Sequence, residues 1–89
     1  MTSQAAAMKG ARTLELLLLF WENAAKDGRK LTPVFAVIAT GDNDSSQDRL
    51  RSWSVNRKAA TRQADRLYAA TSVIRLKGPN EPQIAAMLQ

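Results

Sequence analysis

A chain of 89 residues makes one domain, 1–89, with a single modest core and roughly 64% of the unfolded surface removed from water on folding. Its 45% apolar and 24% charged residues, with four Gly and three Pro, form a globular balance, and the lack of Cys and His excludes disulfides, thiolate and imidazole catalysis and Cys/His zinc sites. The net charge of +5 belongs to the second half: residues 1–48 hold five Lys and Arg against six Asp and Glu, residues 49–89 hold eight against two, and such asymmetry points to a polyanionic partner.

From Ser3 to about Asp27 the chain is made of good helix formers apart from Gly10, with Ser3 placed to cap and Gly28 where a C-terminal glycine belongs. At 100° per residue, Leu14, Leu17, Leu18, Trp21, Ala24 and Ala25 share one face. Leu16, Leu19 and Phe20 widen the apolar surface beyond one packing contact, so they are expected to form a homodimer interface. The apolar run Leu16 to Trp21 is far short of the roughly 20 residues that cross a bilayer. Lys9 and Arg12 ahead of it imitate a signal peptide, but Glu15 interrupts the apolar region and no small-residue cleavage site follows. A cytoplasmic protein without membrane association is expected.

Thr32 and Pro33 read as cap and first residue of a short helix ending at Gly41, although the run Val34 to Thr40, rich in Val, Ile and Phe, fits a buried strand nearly as well. Asp42 to Ser46 is a turn, and Ser45 with Asp48 starts the next helix in the manner of a capping box. From Gln47 to Leu76 there is no Gly or Pro, and Leu50, Trp53, Ala60, Ala64, Leu67, Thr71 and Ile74 fall on one helical stripe. Arg57 conflicts with that stripe. A break near Ser54-Val55-Asn56 relieves the conflict, giving helices of roughly 46–53 and 55–75, with Ser72 to Leu76 as an alternative strand. After Gly78-Pro79, Asn80 caps a last helix, Glu81 to Leu88, with Ile84, Met87 and Leu88 inward.

The fold expected from these elements is mainly α, a small domain of four to five helices, with α+β containing one short hairpin as the alternative. Its core is drawn from Leu14, Leu17, Leu18, Trp21, Phe35, Ile38, Leu50, Trp53, Leu67 and Ile74. The stretch around Gly41 resembles a helix-turn-helix corner, but Asp42, Asp44 and Asp48 would turn negative charge toward DNA at the end that normally approaches it.

Arg51, Lys58, Arg62 and Arg66 fall together about 180° from the apolar stripe, and four neighbouring like charges repel unless a polyanion meets them. They are the candidate nucleic-acid-binding residues of a small DNA-binding regulatory protein that contacts phosphates. The competing readings are a solvated face and a non-catalytic adaptor or inhibitor, similar in a general way to plasmid or phage proteins, that docks on an acidic protein surface. No enzyme activity, cofactor or metal is expected. The acidic run lacks an EF-hand's Gly at its sixth position and Glu at its twelfth, and Ser54 with Lys58 lacks an oxyanion hole or anything to desolvate the lysine. The aromatics are spaced among apolar positions rather than basic ones, which suits packing better than base stacking.

Overall fold

The computed structural model describes residues 11–41, 49–67 and 70–88. The order of elements is α1 (Ala11–Lys26), β1 (Val34–Ala39), β2 (Leu50–Ser54), α2 (Arg57–Asp65), β3 (Thr71–Leu76) and α3 (Pro82–Met87). The strands form one antiparallel sheet in the order β2-β1-β3. Since β2 and β3 both run against β1, they are parallel to each other, and the chain crosses from one edge to the other through α2, which touches all three strands.

Strand alternation divides β1 between two layers. Val34 and Ala36, with the partly buried Ile38, face a cluster built from Leu14, Leu17 and Trp21 of α1, Leu50, Leu76, and Ile84 and Met87 of α3. Phe35, Val37 and Ala39 face the opposite way, toward α2, where Ala60 is fully buried. The sheet is therefore sandwiched, with α1 and α3 on one side and α2 on the other.

Two indoles fasten the first layer. Trp21 is buried and donates through Nε1 to the Thr32 carbonyl at 2.9 Å, while Trp53 donates to the Thr13 carbonyl at 3.3 Å and meets the Phe20 ring at a centroid distance of 5.2 Å. α1 stops where expected. Gly28 takes φ +70°, its N–H donates to the Ala25 carbonyl, and the Arg29 N–H donates to the Ala24 carbonyl, the paired bonds of a Schellman ending.

The sheet overturns the expectation of a mainly α, all-helical domain of four to five helices. Three helices are described together with three strands, so the fold is α+β. Val34–Ala39 is a strand and not a short helix; Leu50–Ser54 is a strand where a helix of roughly 46–53 was expected; and the expected helix of 55–75 ends at Asp65, with β3 following. No helix-turn-helix corner forms around Gly41, because the elements on either side of it are the paired strands β1 and β2. Leu67 and Leu88, expected inside, are exposed, and Phe35, Leu18, Ile38, Trp53 and Ile74 are only partly buried. Glu81, rather than Asn80, is the N-cap of α3, with Pro82 at the first helical position, where its missing N–H costs no helical bond. The expected cap at Ser3, the expected turn Asp42 to Ser46, the capping box of Ser45 with Asp48, and the aromatic Tyr68 lie outside the described residues.

Candidate nucleic-acid interface

α2 is set by its start and its inner face. Asn56, extended at φ −110°, accepts from the N–H groups of Lys58 at 2.8 Å and Ala59 at 3.3 Å through Oδ1, and its own N–H donates to Ser54 Oγ at 3.0 Å. Ser54, Val55 and Asn56, read from sequence as a break, are thus the junction between β2 and α2. The inner face of the helix is small: Ala60 is buried, and Ala59, Gln63 and Ala64 are half-buried. The short side chains let α2 lie close to the sheet, and they fix which residues point outward.

Those residues are Lys58, Arg62 and Arg66, all exposed and four apart, with Thr61 and Asp65 beside them. At 1.5 Å rise per residue the three cations span about 12 Å along the helix axis. None makes an ion pair with a described residue; Arg29 does so with Asp27, at 3.1 Å, well away from α2 in sequence. The structure brings these three predicted binding residues onto one surface.

Arg51 is separated from them. It lies on β2 as an extra residue in a β-bulge, since Val37 opposes Ser52 and Ile38 opposes Leu50, and it is half-buried and engaged in an interaction of its own. It shares no helix with Lys58, Arg62 and Arg66.

Two further cations, neither among the predicted binding residues, adjoin the helix ridge. The Arg57 Cζ stands 5.8 Å from the Phe35 ring centroid, within cation–π range. Arg75 on β3 is the cross-strand partner of the same Phe35 and so lies on the α2 side of the sheet. The conflict of Arg57 with the apolar stripe was a signal in the sequence, and pairing 71–76 with 34–39 as strands would have placed Arg75 beside Phe35.

The structure places the remaining candidates as follows. Leu16 and Leu19 are exposed at 44% and 46% on the outer side of α1, while Phe20 is half-buried and packs on Trp53 within the chain. Ser54 Oγ is occupied as an acceptor from the Asn56 backbone, and Lys58 is exposed on the outer face of α2. No group of three metal-ligating side chains occurs among the described residues, and none of their helices is long and apolar enough to cross a membrane. Ser52 Oγ and Gln63 Oε1 are buried without a hydrogen-bond partner; register places Ser52 on the α2 side of the sheet, and Gln63 belongs to α2.

No family model, curated protein or solved structure matches this chain. Functional assignment therefore rests on the chemistry of the α2 surface. That surface offers fixed positive charge and hydroxyl donors. The aromatic residues with described side chains are engaged elsewhere or covered: Trp21 is buried, Phe20 pairs with Trp53, and Phe35 lies beneath Arg57.

Proposed function

We propose that this protein is a small DNA-binding regulator that grips duplex nucleic acid through its phosphates, using the outer face of α2. The observation that carries the reading is the exposed row of Lys58, Arg62 and Arg66, without ion pairs to described residues, on a helix held against the sheet by alanines. Phosphate contacts supply affinity and orientation without reading sequence. With the described aromatics packed or covered, the surface favours a duplex over a splayed single strand, whose bases need a stacking platform. No catalytic step, cofactor or metal enters this reading, and the expected location is the cytoplasm.

The test is the triple reversal Lys58→Glu, Arg62→Glu and Arg66→Glu, assayed by gel shift against a random-sequence DNA duplex. All three side chains are exposed, and surface substitutions of this kind alter stability by less than about 0.5 kcal/mol each, so a variant with normal circular dichroism should still lose binding. Unchanged duplex binding overturns the assignment. If the wild-type protein ignores duplex but retains one acidic protein in a pull-down, and the reversal abolishes that capture, the face serves an adaptor or inhibitor.

Homodimerisation through the outer side of α1 belongs to the same reading. Leu16 and Leu19 form its apolar centre, while Phe20 contributes only the part of its ring not covered by Trp53. Light scattering should give twice the chain mass at high micromolar concentration, and Leu16→Lys with Leu19→Lys should restore the monomer. A wild-type monomer, or a dimer that survives both substitutions, removes this part.

A further inference from the structure

We infer that Arg57, whose guanidinium lies over Phe35, and Arg75, the cross-strand neighbour of Phe35, form a phosphate-binding subsite that extends the α2 ridge onto β3. The inference rests on the duplex-binding reading above and adds to it a second row of contacts and a direction for the bound strand.

Three observations meet at Phe35. Direct cross-strand pairing puts the Arg75 Cβ about 5 Å from that of Phe35 on the α2 side of the sheet. The Arg57 guanidinium lies 5.8 Å from the centroid of the same ring. On the other edge, the partner of Phe35 is Ser54, whose Oγ accepts from the Asn56 N–H and whose O–H remains able to donate. One guanidinium therefore lies over the Phe35 ring, and a second arginine and a hydroxyl residue are the direct cross-strand neighbours of that ring.

Both arginines are exposed, and neither makes an ion pair with a described carboxylate. Two cations on neighbouring positions with no carboxylate between them repel each other, and a bound anion converts that cost into attraction. A planar guanidinium resting on a ring also loses less freedom when it grips an oxygen pair than a lysine ammonium does, and its fork suits phosphate. Lys58 follows Arg57 directly, so the subsite joins the ridge at the N-terminal end of α2. A phosphate chain that follows Arg66, Arg62 and Lys58 along the helix is then turned across Arg57 and Arg75 toward the β3 edge.

The two readings differ in the number of phosphates neutralised, which salt dependence counts. Three contacts on α2 alone give a log–log slope of about −2.7, or roughly a 40-fold loss of affinity between 50 and 200 mM salt; five contacts give about −4.5, or roughly 500-fold. The probe is a random-sequence 20-base-pair DNA duplex, titrated by fluorescence anisotropy against wild type, Arg57→Ala with Arg75→Ala, and Lys58→Ala with Arg62→Ala. The expected result is a wild-type slope near −4.5 that falls by about 1.8 in each double variant. If the Arg57/Arg75 pair fails to fold, Arg75→Ala alone, exposed on an edge strand, should lower the slope by about 0.9. A wild-type slope near −2.7 that ignores Arg57 and Arg75 but responds to Lys58 and Arg62 overturns the subsite and leaves the function standing. Wild-type protein that binds no duplex at 50 mM salt overturns the function and the subsite with it.

Discussion

Leu16 and Leu17 are neighbours in sequence and opposites in the fold. Leu17 is fully buried in the cluster shared by Trp21, Leu50, Leu76 and Ile84, whereas Leu16 is 44% exposed. Leu17→Ala removes three buried carbons and leaves a cavity, and such changes cost about 2.7–5 kcal/mol. α1 is an outer layer that can settle toward the sheet, which favours the lower end, about 3 kcal/mol. A domain of this size has a total stability of roughly 4–13 kcal/mol and loses about 4–8 °C of Tm per kcal/mol, so Tm should fall by at least about 12 °C. Leu16→Ala should cost less than about 0.5 kcal/mol at low micromolar protein. If Leu16 lies in a dimer interface, its cost should grow with protein concentration while that of Leu17 stays constant. Urea denaturation followed by circular dichroism at two protein concentrations measures both. Equal losses at the two positions, or a loss under about 1 kcal/mol at Leu17, would refute the placement of α1.

Two other substitutions test the α2 layer. Asn56→Ala removes the side-chain acceptor for two helix N–H groups and should cost about 1 kcal/mol, read as a lower urea midpoint; no change would mean that the cap does not hold α2 in place. Ser52→Ala deletes a buried hydroxyl that has no hydrogen-bond partner, so stability should hold or rise by up to about 1 kcal/mol in the same assay, and a clear loss would show that the hydroxyl is satisfied.

The helices and strands differ in how plainly the sequence announces them. α1 shows a 3.6-residue apolar period and ends at Gly28 with the expected left-handed turn, and both features are local. β1 has no period because it is the central strand with a layer on each face, so every position favours an apolar residue and the run is indistinguishable from a short buried helix. β2 misleads more actively. The bulge at Arg51 places Leu50 and Trp53 on one side of a strand although they are three apart, which is the spacing of a helix face. In β3, Thr71 and Ile74 continue the spacing of the helix before them, and only pairing with β1, some 35 residues earlier, reveals that Ile74 and Leu76 alternate inward.

The candidate interface was legible to the extent that it is local. Lys58 and Arg62 lie within one helix and Arg66 is its C-cap, still in helical conformation, so a four-residue spacing suffices to place them on one face. Helical spacing groups Arg51 with them, but Arg51 lies on the strand β2. Arg57 and Arg75 both adjoin Phe35 only through sheet register and the seating of α2 over that ring, which are tertiary facts.

The most direct measurement is the affinity of the wild-type protein for a random-sequence DNA duplex as salt rises from 50 to 200 mM. Phosphate binding by the α2 ridge predicts a loss of about 40-fold or more, and about 500-fold with Arg57 and Arg75 engaged. Absence of binding at 50 mM salt, or an affinity that barely changes across the series, would contradict it.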